Sequence, residues 1–244
     1  MVVFYQPILD LRSRTVVRGE ALCRFPESPP ELKNPDDFIT YAENHGLVKG
    51  LTEWLLATTL SYWKDLGELA PASLSLNFSP QNLLEVDLSD RVLASLERYG
   101  IAPSRLWLEL DERLLKAHDA VSQANLKNLA AAGVHVAIDG FGPSLSPVSL
   151  MDVKSMPITE LKLDRALVMG LADDPNARAR MKAISDLARD AGAELAAKGI
   201  EDEAVVEWLV HYGMARVQGY YVAAPMSADD FRNWLAERRP PPTA

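Results

Sequence analysis

Six segments of this chain share one pattern, an apolar and strand-prone run that stops on a single polar group. They are Ser73 to Asn77, Arg105 to Glu109, Val134 to Asp139, Glu160 to Lys162, Glu194 to Lys198 and Ala215 to Gln218. Stretches of helical spacing separate them, and strand alternating with helix is the signature of a parallel sheet. Parallel strands deliver their carboxyl ends to one shared edge, so the terminal polar groups are predicted to meet there. At 244 residues, the chain is the right length for one closed (β/α) barrel that uses nearly all of it. The start differs. Val2 to Leu9 and Thr15 to Phe25 read as strands joined by the polar turn Asp10 to Arg14, a link too short for a parallel crossover. The expected fold is therefore α/β, a modified TIM (β/α) barrel with an antiparallel first strand.

Helices are predicted over Asp36 to Asn44, Leu51 to Trp63, Asp90 to Tyr99, Ala120 to Ala132, Asn176 to Ala191 and Glu203 to Tyr212, with a last one capped by Ser227. In the Asn176 helix, Met181, Ile184, Leu187, Ala188 and Ala191 make one apolar face, which reads as core. Pro26 to Pro35 reads as an exposed loop, and Pro240 to Pro242 stop the last helix. The expectation is one domain over 1–244, with its core at about 2–237 and a flexible tail at 238–244. The Met1 to Asp10 segment alternates and breaks at Pro7, without a basic leader or a long apolar run. No stretch reaches membrane-spanning length, so no membrane insertion is expected. Cys23 is the only cysteine, which points to a reducing compartment and a cytoplasmic protein. A net charge of −9 with no basic stripe argues against nucleic acid as a partner. A small anionic ligand held by a few local cations or a metal stays open.

The strand ends supply oxygen donors. Magnesium prefers six oxygens in a tight octahedron and keeps several waters, so a few carboxylates and an amide oxygen make a suitable half-cage. Glu20, Asn77, Glu109 and Asp139 form such a set from four strand ends. Lys162, at another, is placed to hold an attacking water or to offset phosphate charge. Arg24 lies across the pleat from Cys23 and can grip a phosphate with its fork of donors. Each carboxylate alone has a plain reading as a solvated or ion-paired group, and Glu112 and Asp164 can simply begin helices. His45, His118, His135 and His211 share no ligand spacing and receive no role.

A family resemblance rests on ordered motifs that span nearly the whole chain. Tyr5-Gln6-Pro7-Ile8, Gly19-Glu20-Ala21-Leu22-Cys23-Arg24-Phe25, Asn77-Phe78-Ser79-Pro80, Glu109-Leu110-Asp111-Glu112, Lys162-Leu163-Asp164 and Gln218-Gly219-Tyr220 resemble, in order, the EAL family of bacterial cyclic di-GMP phosphodiesterases. The resemblance implies a modified barrel whose first strand is antiparallel. It also implies a site that binds cyclic di-GMP and, in active members, cleaves one phosphodiester bond. By the same resemblance, the position of Arg24 contacts the ligand, that of Gln218 lies in the site, and Lys198 falls where the family has a glutamate that is a candidate base and metal-site residue. The candidate ligand-binding residues are Gln6, Leu22, Arg24, Asn77, Asp139, Lys198 and Gln218, and the candidate catalytic ones Glu20 and Lys162. Glu112 and Asp164 match positions that help to shape the site.

Two positions depart from that family pattern. Where the family has two adjacent aspartates before Phe-Gly-Thr-Gly-Tyr-Ser, the chain reads Asp139-Gly140-Phe141-Gly142-Pro143-Ser144-Leu145-Ser146. The family's Ala-Glu-Gly-Val-Glu becomes Ala197-Lys198-Gly199-Ile200-Glu201. The site loses two negative charges and gains one positive where two dications would sit. At about 4 Å and an effective dielectric near 20, one unit pair is worth roughly 4 kcal/mol. Taken from a transition state, that slows a reaction by about three powers of ten. Glu20 and Lys162 are then expected to be vestigial as catalytic groups. The expectation is a cyclic di-GMP receptor with weak or no hydrolysis, holding one magnesium or manganese ion or none, and no second metal. Lys198 either pairs with Asp139 or the ligand, or swings into solvent. An active or slow phosphodiesterase and a protein-interaction domain without ligand are the alternatives. A protein partner and a homodimer both stay open, although Pro143 and Leu145 alter the loop that couples dimerisation to metal in the family.

Overall fold

The computed structural model describes residues 1–25, 34–112, 119–142, 153–171 and 173–238. Eight strands close a barrel in chain order: β1 (Val2–Asp10), β2 (Val16–Arg24), β3 (Ser73–Phe78), β4 (Leu106–Asp111), β5 (His135–Phe141), β6 (Glu160–Leu163), β7 (Glu194–Ala197) and β8 (Arg216–Gln218). β1 runs antiparallel to β2 and β8, and the other neighbouring pairs are parallel. The expected fold class, with its antiparallel first strand, is the one observed.

β1 runs through Pro7, as the strand expected over Val2 to Leu9 requires. Tyr5 N–H points to the β8 side, where it donates to the Met226 carbonyl. Pro7 lies two residues on and aims its nitrogen the same way, but β8 begins to pair only at Ile8. Its missing donor therefore costs no ladder bond.

The described helices are α1 (Pro35–Asn44), α2 (Val48–Leu66), α3 (Pro80–Leu83), α4 (Leu88–Tyr99), α5 (Ala120–Ala131), α6 (Arg165–Met169), α7 (Pro175–Ala191), α8 (Glu203–His211) and α9 (Ala228–Glu237). The longer ones match the sequence expectation to within a few residues, while α3 and α6 are too short to carry a periodic signal. Each of the two has a capping residue, however. Ser79 accepts from the Gln81 N–H at 3.2 Å, and Asp164 from the Ala166 N–H at 2.7 Å. The helix expected to begin at Glu112, most of the Pro26 to Pro35 loop, Pro143 and Leu145, and the tail from 239 lie outside the described residues, although Glu112 itself is described.

Strand parity divides the barrel. Leu74 and Leu76 on β3, Leu106, Leu108 and Leu110 on β4, Val136 and Ile138 on β5, and Leu161 and Leu163 on β6 are buried in the core between barrel and helices. The alternate residues point inward, and many are polar. Arg18 on β2 reaches across the barrel to Glu160 on β6, with Nη1 to Oε1 at 2.8 Å and Nη2 to Oε2 at 3.1 Å. Arg216 on β8 donates to the same Oε2 at 2.8 Å and to Glu194 at 2.5 Å. The Arg18 guanidinium lies 3.5 Å over the Trp107 ring, which also stacks on His135 at 4.3 Å. These groups form a buried floor. Outside, Trp63 of α2 and Phe231 of α9 close on Gly19, where an added Cβ would stand 2.8 Å from Trp63 Cη2.

Candidate functional site

Two residues further along each strand, a second inward layer forms the barrel mouth. It contains Gln6, Glu20, Asn77, Glu109, Asp139, Lys162 and Gln218 from seven strands, with Lys198 just past the end of β7. The strand-end groups expected from sequence therefore converge. Lys162 Nζ sits at the centre, 2.6 Å from Glu20 Oε2 and 2.6 Å from Glu109 Oε2. Glu20 also accepts from Asn77 Nδ2 at 2.8 Å and Gln218 Nε2 at 2.7 Å. Gln218 donates to Gln6 Oε1 at 3.0 Å, and Gln6 donates to the Ala223 carbonyl at 3.0 Å. Lys198 Nζ pairs with Asp139 Oδ2 at 2.8 Å, so it does not swing away into solvent.

The two glutamates respond differently to similar burial. Burial opposes charge on Glu20, but Lys162, Asn77 and Gln218 outweigh it and bring the carboxyl down to about 2. Glu109 accepts only from Lys162; burial and then the Glu20 charge push its carboxyl up to about 7. Burial also opposes the Lys162 ammonium, yet Glu109, Glu20 and Asp139 raise its pKa above the ordinary lysine range. Three buried oxygens in this layer have no hydrogen-bond partner among the described residues: Glu109 Oε1, Asp139 Oδ1 and Gln218 Oε1. Buried polar atoms are seldom left so, and a ligand or ion is one usual reason. Among the described residues, no three His, Cys, Asp or Glu side chains already form a metal cage. Lys162 stands between the two glutamates instead.

Two close approaches place Lys198, and sequence reading missed both. Ile200 N–H donates to the Gln218 carbonyl at 3.0 Å and Tyr221 N–H to the Ile200 carbonyl at 2.9 Å. A Cβ on Gly219 would fall 2.1 Å from Ile200 O, so only glycine lets these turns meet. Gly199, at φ +70°, packs on Arg165, which is ion-paired to Glu201. Gly140 adopts φ +68°, and a Cβ there would lie 3.9 Å from Lys198 Nζ. The two departures from the family pattern are therefore neighbours in space. The available signal was a glycine directly after each functional side chain, at Gly140, Gly199 and Gly219.

A cavity of about 1040 Å³ opens above this layer and reaches toward α1 and α2. Leu22 and Arg24 line it, both partly exposed, and Arg24 Nη1 donates to the Cys23 carbonyl at 2.8 Å. Tyr220 lines it as well. Among the described residues, no helix is long and apolar enough to cross a membrane.

The family model for the EAL domain matches residues 1–225. The chain belongs to the EAL domain family. It is 31% identical over 242 residues to the uncharacterized protein Rv1354c of Mycobacterium tuberculosis, covering 98% of this chain and 38% of that one. It is 33% identical over 232 residues to MucR of Pseudomonas aeruginosa, a bifunctional diguanylate cyclase/cyclic di-GMP phosphodiesterase, covering 94% of this chain and 33% of MucR. The EAL domain thus spans little more than a third of these relatives. The PaMucR phosphodiesterase in complex with c-di-GMP superposes with a TM-score of 0.83 at 31% identity, over 94% of this chain and 93% of that one. The EAL enzyme Bd1971, with cAMP and cyclic-di-GMP bound, gives 0.87 at 27% identity, over 96% and 64%. Membership places this EAL domain in cyclic di-GMP signalling, and phosphodiesterases of the family generally depend on divalent metal.

Proposed function

We propose that this EAL domain is degenerate: it binds cyclic di-GMP as a receptor or regulatory module and hydrolyses it weakly or not at all. The observation that carries this reading is the ammonium of Lys198 held at 2.8 Å by Asp139, beside a glycine at position 140. A second dication placed there meets a fixed positive charge and lacks two carboxylates. A single magnesium or manganese ion fits the donors that remain. Glu109 Oε1 and Asp139 Oδ1 are buried and unpartnered, and Asn77 and Glu20 complete an oxygen set. Such an ion would polarise a phosphoryl oxygen; one ion gives up the clamp on attacking and leaving oxygens that two supply.

Ligand capture falls to Gln6, Leu22, Arg24, Asn77, Asp139, Lys198 and Gln218, all on the cavity wall. Arg24 is the phosphate fork, and among the described residues no carboxylate is bonded to its remaining N–H groups. The complexes of MucR and Bd1971 with this ligand support the ligand class. The domain would act by biasing a neighbouring domain, a protein partner or a second copy of the chain.

One observation favours a slow phosphodiesterase instead. Glu20, Glu109 and Lys162 are all present and in contact, so one metal with Lys162 could still direct water. Calorimetry with cyclic di-GMP and a hydrolysis assay in magnesium or manganese separate the readings. Micromolar binding without turnover is expected. Robust turnover would establish the phosphodiesterase, and no binding at all would leave a protein-interaction domain.

A further inference from the structure

The cavity presents an electrostatic problem to any anion. Eight acidic and four basic side chains line it. A ligand with two phosphodiester charges needs cations that it can reach. Lys162 is not one of them, since its side chain is 2% exposed and engaged by two carboxylates. Arg165 is turned to Glu201. Arg24 and Lys198 remain. Lys198 has a side chain 33% exposed and, among the described residues, one bond, to Asp139, which leaves two of its three N–H groups for a ligand. Gly140 keeps the flank of that ammonium clear, because it carries no side chain at 3.9 Å from Nζ. The interlocked turns at Ile200 and Gly219 fix the backbone from which Lys198 projects.

Resting on the reading above that the cavity takes a cyclic dinucleotide, we propose that Lys198 is a resident phosphate-binding cation. It keeps its bond to Asp139 and donates a second N–H to a phosphate oxygen, supplying for binding the positive charge that a divalent ion would otherwise bring. Asp139 is its positioning residue. No covalent step is involved. The consequence is capture of the ligand that is nearly indifferent to divalent metal.

Calorimetry of the intact chain with cyclic di-GMP, in EDTA and in magnesium, tests this. Wild-type affinity should differ by less than about threefold between the two buffers. Lys198→Met should bind about tenfold to a hundredfold more weakly in EDTA, the range expected for a lost charge-assisted bond. Lys198→Arg should recover most of that affinity, and Lys198→Glu should bind measurably only when metal is added. The half-exposed position makes these variants tolerable to the fold, and melting temperatures within a few degrees of wild type check it. Wild-type binding with an unchanged Lys198→Met, or wild-type binding that needs magnesium more than about tenfold, overturns the role of Lys198 alone. Absence of wild-type binding in both buffers overturns the receptor reading and this inference with it.

Discussion

The barrel interior carries two charged layers two residues apart on the same strands, and they are built on opposite principles. In the floor, Arg18 and Arg216 take both oxygens of Glu160, and Trp107 covers the guanidinium of Arg18. Among the described residues, the floor leaves one donor without a partner, Arg18 Nε, whereas the mouth leaves three acceptor oxygens, Glu109 Oε1, Asp139 Oδ1 and Gln218 Oε1. Arginine cannot release its proton in a protein, so the floor has fixed charges and must keep its counter-ion. The mouth instead holds a carboxyl pushed up to about 7, that of Glu109, which can exchange its proton. A cluster of fixed charges around a fully engaged carboxylate holds strands together, whereas one with open acceptor oxygens is suited to a ligand. Glu160→Gln tests the first half. It strands the Arg18 guanidinium over a neutral amide, while Arg216 keeps Glu194, and the expected loss is about 3–5 kcal/mol in urea unfolding. A loss below about 1 kcal/mol would remove the distinction.

Lys162→Met is the matching change in the mouth. It leaves Glu20 and Glu109 facing each other, but Glu109 already binds a proton readily and can neutralise itself. The expected cost is smaller, about 1–3 kcal/mol by the same measurement near pH 6. If it equals the cost of Glu160→Gln, the mouth is as rigid a structural cluster as the floor.

Acidity should separate the layers by sign. Arg18 and Arg216 outweigh burial and hold the Glu160 carboxyl below its ordinary value. Its contribution is therefore present above the unfolded glutamate value of about 4.3 and is lost as pH falls. Glu109 is the reverse: its folded value of about 7 lies above the unfolded one. Its contribution is present below about 4.3 and is lost as pH rises through 7. Urea midpoints against pH should show a decline between about pH 5 and 7 that flattens by about 2 kcal/mol in Glu109→Gln. Glu160→Gln should flatten the acid limb only. The same slope in wild type and Glu109→Gln would mean that Lys162 keeps Glu109 charged.

Which of these features the sequence displays follows from how each is encoded. Asn77, Glu109, Asp139 and Gln218 stand out because a polar group ends an apolar run, and parallel strands must bring such ends together. Glu160 begins its run and Arg18 lies within one, so nothing marks them as partners across 142 positions of chain. Period-two parity was the usable signal: Arg18 with Glu20, Trp107 with Glu109, Glu160 with Lys162, and Arg216 with Gln218 each share a face. Why β1 tolerates Pro7 is not legible in the sequence, because it depends on whether the strand's far edge is paired there, which is a property of topology. The Lys198 to Asp139 contact was one of two open outcomes, because a flexible lysine's direction is set by neighbours distant in sequence.

The smallest expected effect concerns the mouth alone. Gly140 is left-handed at φ +68°, a conformation that aspartate tolerates better than most residues, so Gly140→Asp should be accommodated. A carboxylate there would lie beside the Lys198 ammonium and pair with it, which is why the single change should gain little metal. The double change Gly140→Asp with Lys198→Glu restores both acids and removes the cation. Manganese affinity without nucleotide, measured by calorimetry, should then rise by at least about tenfold. Glu160→Gln, two residues below Lys162, should leave metal affinity nearly unchanged in a chain that remains folded. If the double change binds manganese no better than wild type, charge at positions 140 and 198 does not control the mouth. Hydrolysis need not return with the metal, because Pro143 and Leu145 still depart from the family pattern after Gly142.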